Sequence, residues 1–159
     1  MEVSFANINT LQAVRRKEEL KECNQISQRF GLSLSEQEME WVMQNRYESL
    51  KSTGRMEFGE GIIRKLVFTF CDSAYLEQEE YATLLMELQE LFYTLKKETL
   101  DQLTDDELLC AMRIIFDHSG GSLEHLRSID RGTLYRIACS GTVDGTYLEQ
   151  VRRWENEYE

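Results

Sequence analysis

The stretch FGEGIIRKLVFTFCDSAYL, from Phe58 to Leu76, is the most apolar part of the chain and decides the fold. Its apolar residues nearly encircle a helix, as expected for a helix that others cover on most sides. These residues are Ile62, Ile63, Leu66, Val67, Phe68, Phe70 and Cys71. Because Arg64, Lys65 and Asp72 bracket it, the stretch falls short of the roughly 20 apolar residues that span a bilayer. It predicts a central helix from about Glu57 to Asp72.

Capping signals and helical periodicity continue on both sides of this stretch. The chain has no proline, so helix ends are marked by glycine and by small polar residues. A first helix is predicted from about Asn7 to Phe30, closed by Gly31. A second begins near Ser35 with a capping box and stops at Gly54. Its predicted apolar side holds Met39, Val42, Met43, Arg46, Tyr47 and Leu50.

The second half of the chain is also helical by pattern. Leucines and a tyrosine at steps of three and four residues predict a fourth helix, Glu79–Lys97. The TDDE capping box at Thr104 starts a fifth, which SGG ends. Shorter helices are predicted at 122–129, at 132–140 and from Asp144 onward. The predicted core comprises Ile63, Leu66, Val67, Phe70, Leu84, Leu88, Leu91, Met112 and Ile115. We therefore predict one all-α domain over residues 1–159, an irregular bundle of about five longer helices plus shorter C-terminal helices.

The net charge of −11 is concentrated in the middle of the chain. Residues 57–110 contain 13 acidic and 4 basic residues. This sign disfavours a nucleic acid or an anionic membrane as partner and favours a basic protein. The predicted interaction surface is the outward side of the fourth helix, with Glu79, Glu80, Glu87 and Glu90.

The four cysteines, Cys23, Cys71, Cys110 and Cys139, form no close pair. Each lies in a helical apolar pattern, so we expect buried, reduced thiols and a cytoplasmic protein. The sharpest enzyme hypothesis is a nucleophilic Cys71. The negative end of its helix and Asp72 would both raise the thiol pKa, which argues against activation.

The sequence predicts no catalytic set, metal site or cofactor. The loops at Asp117 and Asp144 lack the glycine of an EF-hand. His118 and His125 flank a turn, but no Glu-x-x-His pair accompanies them. A pocket between helices would draw on Cys71, Tyr75 or His118.

One further pattern resembles a known family. Residues 32–117, with TGRMEFG, FTFCDS and ELQELFY as the most recognisable pieces, resemble a small family met mainly in anaerobic Gram-positive bacteria. That family has no assigned activity. The resemblance implies a bacterial cytoplasmic protein and transfers no functional residue.

The function is therefore unknown at this stage, and three classes remain open. A non-enzymatic protein-interaction module fits best, since no catalytic constellation is present. The alternative is a small-molecule-binding protein or enzyme with a pocket between helices. A lesser alternative is a helix-turn-helix protein that contacts phosphates through Arg127, Arg131 and Arg136. The oligomeric state is left open.

Overall fold

The described part of the chain is all-α, as predicted. A computed structural model of the protein describes residues 5–57 and 61–140, and these two ranges contain seven α-helices and no strand. The helices are α1 Phe5–Ser27, α2 Glu36–Ser52, α3 Ile63–Phe70, α4 Tyr81–Glu98, α5 Asp105–His118, α6 Leu123–Ser128 and α7 Arg131–Ser140. The 3₁₀ turn Gln28–Phe30 follows α1, and the 3₁₀ turn Gln78–Glu80 precedes α4. The helix predicted from Asp144 lies outside the described residues.

The predicted capping signals are confirmed. The Glu38 N–H donates to Ser35 Oγ at 3.1 Å, and the Ser35 N–H donates to Glu38 Oε1 at 2.9 Å. Thr104 and Glu107 repeat this exchange at the start of α5, at 3.1 and 3.0 Å. These hydrogen bonds lower the pKa of the Glu107 carboxyl. Gly31, with a φ of 78°, closes the first helical segment as expected.

One core joins the described helices. Of the nine predicted core residues, eight are buried and only Leu84 is partly exposed. The prediction for Leu84 was wrong because it lies at the edge of the apolar stripe, next to the exposed Thr83. α3 packs against α1, α4 and α5, which confirms its central position. α4 packs against α2, α3 and α5.

Two details of the predicted helices were wrong. α3 begins at Ile63, six residues later than the predicted start near Glu57, and ends at Phe70, two residues before the predicted end at Asp72. Tyr47, placed on the apolar side of α2, is 60% exposed. Five residues from the buried Val42, it is about 140° away around the helix.

Glu57 is outside α3 because its carboxylate is bound between α2 and α4. Arg46 of α2 donates to Glu57 Oε1 at 3.1 and 2.7 Å. The Tyr93 hydroxyl of α4 donates to Glu57 Oε2 at 2.5 Å. Burial and the Glu57 charge raise the pKa of Tyr93. Gly61 lies so close that a Cβ there would be 2.6 Å from Glu57 Oε1. Glu57 therefore forms a packed polar joint with Arg46 and Tyr93.

Candidate functional site

The four acidic residues singled out from the sequence lie along α4 and the turn before it. We call Glu79, Glu80, Glu87 and Glu90 the acidic ridge. Glu79 and Glu80 are exposed in the 3₁₀ turn, Glu90 is exposed, and Glu87 is partly buried. The spacing keeps them on the side of α4 turned away from the core.

Two members of the acidic ridge contact neighbouring helices. Asn45 Nδ2 of α2 donates to Glu90 Oε1 at 2.5 Å. Glu87 Oε2 is 4.0 Å from an Nη of Arg127 on α6. Glu79 and Glu80 form no ion pair within the described residues. Glu87 and Glu90 are thus in contact with neighbouring helices, whereas Glu79 and Glu80 are exposed to solvent.

An exposed aromatic side chain lies next to the acidic ridge. Trp41 is 51% exposed, although it belongs to a helix with a buried side. It lies one turn before Asn45 on α2, on the same face, and Asn45 contacts Glu90. Sequence reasoning missed Trp41. The available signal was its place beside Val42, one position out of phase with the apolar stripe.

The three predicted pocket residues differ in their surroundings. Cys71 is buried, and desolvation, followed by the charge of Asp72, raises its pKa to about 12. Tyr75 is half exposed and packs edge-on against Phe116, with ring centroids 6.5 Å apart. His118 is exposed at the C-terminal end of α5. A pocket formed by these residues remains a prediction.

The cysteines predict a selective labelling result. Cys23, Cys71 and Cys110 are buried, and burial raises their pKa values to about 12, 12 and 11. Cys139 is exposed, so its predicted burial was wrong; it lies on α7, which packs against α5 on its other side. We expect an aromatic disulfide reagent to label native protein rapidly at Cys139 alone, because the thiolate is the reacting form. The Cys139→Ser variant should lose the rapid phase. Rapid labelling of native Cys71 would contradict this.

A buried arginine joins the end of α3 to α5. Arg113 is 6% exposed, and its Nη1 donates to the Thr69 carbonyl and to Asp72 Oδ1, both at 2.5 Å. Its Nε donates to Asp117 Oδ2 at 2.6 Å. Ser73 Oγ donates to Asp117 Oδ1 at 2.7 Å. Thr69, Asp72 and Ser73 of the FTFCDS segment therefore belong to one structural joint around Arg113.

The C-terminal helix pair, α6 and α7, packs against α5 and contacts α4 through the ion pairs Arg127–Glu87 and Arg131–Glu98. Arg127 pairs with Glu124 at 3.0 Å, and Arg131 pairs with Glu98. Arg136 is exposed. Two of the three arginines that the helix-turn-helix alternative assigns to phosphate contacts are therefore already paired with carboxylates. This pairing disfavours the helix-turn-helix alternative. Within the described residues, no group of histidine, cysteine, aspartate and glutamate could hold a metal ion.

A cleft of about 640 Å³ lies along α1, beside the first turn of α3. It is lined by Val14 and by three arginines and three glutamates, which are Arg15, Arg16, Glu18, Glu19, Glu22 and Arg64. None of the pocket residues predicted from the sequence lines it. This cleft is the second candidate site of the molecule.

The fold and these surfaces define an all-α protein in which the outward side of α4 and the turn before it carry four glutamates. The chain belongs to the family of unknown function DUF6323, which matches residues 19–141. The match is wider than the 32–117 resemblance and includes α6 and α7. No curated protein and no solved structure matches the chain. Within the described ranges, no helix combines the length and apolar character needed to cross a membrane.

Proposed function

We propose that the protein is a non-enzymatic interaction module that binds a basic protein through the acidic ridge and Trp41. The observation that carries the proposal is Trp41, which is half exposed one helical turn before Asn45, the residue that contacts Glu90. Trp is strongly enriched at interaction hot spots. A Trp face also attracts arginine and lysine, the side chains that carboxylates select.

The charge of the acidic ridge suits a basic segment of the partner. Its carboxylates would steer such a segment and speed its association at low salt. Screening shortens their reach to about 8 Å at physiological ionic strength. Contact with Trp41 would then supply apolar area that salt does not screen. The two features together predict binding that weakens with salt but is not abolished by it.

We further propose a bacterial cytoplasmic location. It rests on the resemblance described above and on buried thiols that suit a reducing compartment.

A basic peptide provides a direct test. The chain has two tryptophans, so Trp41 fluorescence can be read in a Trp154→Phe background. We expect titration with an arginine-rich peptide to shift the Trp41 emission, and we expect the affinity to fall as salt rises. Glu79→Lys with Glu80→Lys should weaken binding by about tenfold, the equivalent of about 1.4 kcal/mol.

The matched control reverses two exposed aspartates past the C-terminal end of α4, Asp101→Lys with Asp106→Lys, with the same change in net charge. This control should bind the peptide more tightly than the acidic-ridge variant. A further variant reverses all four acidic-ridge positions. If neither this variant nor the double variant binds the peptide more weakly than the control, the proposal is rejected. The ridge would then only keep the protein in solution.

A further inference from the structure

The cleft along α1 presents both signs of charge over a short distance. Its three arginines and three glutamates cancel in total, so the cleft attracts neither a simple anion nor a simple cation by net charge. Its volume of about 640 Å³ falls in the range of about 300–1,000 Å³ that is common for small-molecule sites. A ligand that matches it must itself carry both charges.

The inner part of the cleft contains an incomplete ion pair. Arg16 Nη1 lies 3.0 Å from Glu19 Oε2, and their side chains are 9% and 11% exposed. The other carboxylate oxygen, Glu19 Oε1, is buried and accepts no hydrogen bond. A buried acceptor without a donor is unfavourable, because it has lost its hydrogen bonds to water. A small rotation of the Glu19 side chain toward an incoming ammonium group would remove this cost.

The outer part of the cleft offers an oriented cation and a second carboxylate. The Arg64 guanidinium lies over the Phe68 ring, 5.3 Å from its centroid, which restricts its orientation. Glu22 and Arg64 form no ion pair within the described residues. Burial raises the pKa of the Cys23 thiol, Glu19 and Glu22 raise it further and Arg64 lowers it, so these three charged groups lie around the same buried thiol. The cleft therefore has an oriented cation on α3 and a carboxylate on α1 that can each bind a charged group of a ligand.

We propose that this cleft binds a small zwitterion, a free amino acid or a dipeptide. Its carboxylate would lie at the Arg64 guanidinium, whose N–H groups can donate two parallel hydrogen bonds to the two carboxylate oxygens. Its ammonium would lie between Glu22 and Glu19, where it donates to the unused acceptor. The cleft is larger than a single backbone zwitterion, so a side chain or a second residue also fits.

Nuclear magnetic resonance of the full chain tests this proposal. The probes are the standard L-amino acids and alanylalanine, each at millimolar concentration. We expect at least one of them to shift the backbone amide signals of residues 14–22 and 63–68. The N-acetylated and the amidated forms of that ligand lack one charge each and should bind at least tenfold more weakly.

Two substitutions and a control locate the site. Arg64→Gln and Glu22→Gln should each weaken binding by about tenfold to a hundredfold, as expected when one charge-assisted hydrogen bond worth about 1.5–3 kcal/mol is lost. Lys51→Gln removes an exposed charge on α2 and should leave the affinity unchanged. Circular dichroism checks that each variant keeps its helices.

Two results would overturn the proposal. One is the absence of any shift in residues 14–22 and 63–68 with every probe. The other is equal binding of a zwitterion and its N-acetylated form, which would mean that the glutamates take no part. Neither result bears on the acidic ridge, because the basic-peptide experiment reads a different helix.

Discussion

Replacing Arg113 with alanine is expected to lower the free energy of unfolding by about 3 kcal/mol. The substitution leaves Asp72 and Asp117 without their cation and the Thr69 carbonyl without its donor. The Arg113 side chain is 8% exposed, whereas those of the two aspartates are 39% and 31% exposed. Because water still reaches the carboxylates, we expect the lower end of the range for broken buried ion pairs. Urea unfolding followed by circular dichroism measures the change.

The matched control is Arg127→Ala, which removes an arginine whose side chain is 41% exposed and that pairs with Glu87 and Glu124. It should cost less than about 1 kcal/mol, as exposed ion pairs do. Arg113→Lys should recover only part of the loss, because an ammonium group cannot place donors at three separate acceptors as the planar guanidinium does. An Arg113→Ala variant as stable as Arg127→Ala would contradict the joint described here.

The local features of the fold could be predicted from the sequence. The capping boxes at Ser35 and Thr104 depend on residues three positions apart, and the stripe of α4 depends on a repeat of three and four. Such signals are complete within one helix. The ends of α3, at Ile63 and Phe70, were harder to predict, because contacts with other helices hold the flanking residues Glu57 and Asp72 outside it.

The polar joints could not be predicted because their partners are far apart in the chain. Arg113 contacts groups 41 and 44 positions away, and Tyr93 contacts Glu57 36 positions away. In the sequence, Arg113 is one charged residue in an amphipathic helix, with nothing to mark it as buried. Trp41 and the α1 cleft were missed for a related reason. Exposure beside another helix and a space between two helices are properties of packing, which helical periodicity does not encode.

Amino-acid composition predicted the charge of the acidic ridge but not its contacts. The excess of acidic residues in the middle of the chain predicted an acidic outer side for α4. It did not predict that Asn45 and Arg127 would contact two of the four carboxylates. These contacts fix the geometry of Glu87 and Glu90 and leave Glu79 and Glu80 as the groups most open to a partner. The test of the proposed function therefore starts from Glu79 and Glu80.

Replacing Glu57 with alanine is expected to lower the free energy of unfolding by about 3 kcal/mol. The side chains of Arg46 and Glu57 are 15% and 17% exposed, so Arg46 would become a largely buried cation without its carboxylate. Tyr93 is 1% exposed, and its hydroxyl would lose its acceptor, which by itself costs about 1–3 kcal/mol. Glu57→Gln should cost less, since an amide oxygen can still accept one of these hydrogen bonds. Urea unfolding measures all the variants.

Gly61 allows the same joint to be tested by a double-mutant cycle. A Cβ at Gly61 would lie 2.6 Å from Glu57 Oε1 and 3.1 Å from Arg46 Nε. The Glu57 side chain is flexible in itself, but its contacts with Arg46 and Tyr93 prevent it from moving away freely. Gly61→Ala should therefore cost about 1–3 kcal/mol in the natural protein, as overpacking does.

In the Glu57→Ala background the obstructing oxygen is gone, and the sign of the Gly61→Ala effect should change. Alanine there should be neutral or stabilise the protein by up to about 1 kcal/mol, because it lowers the conformational entropy of the unfolded chain. The coupling between the two substitutions should then be at least about 1 kcal/mol, whereas independent sites add within about 0.5 kcal/mol. Additive effects would mean that Gly61 is required by the backbone at the start of α3 and that the Glu57 carboxylate plays no part in that requirement. A measured coupling would instead show that Gly61 makes room for one carboxylate shared by α2 and α4.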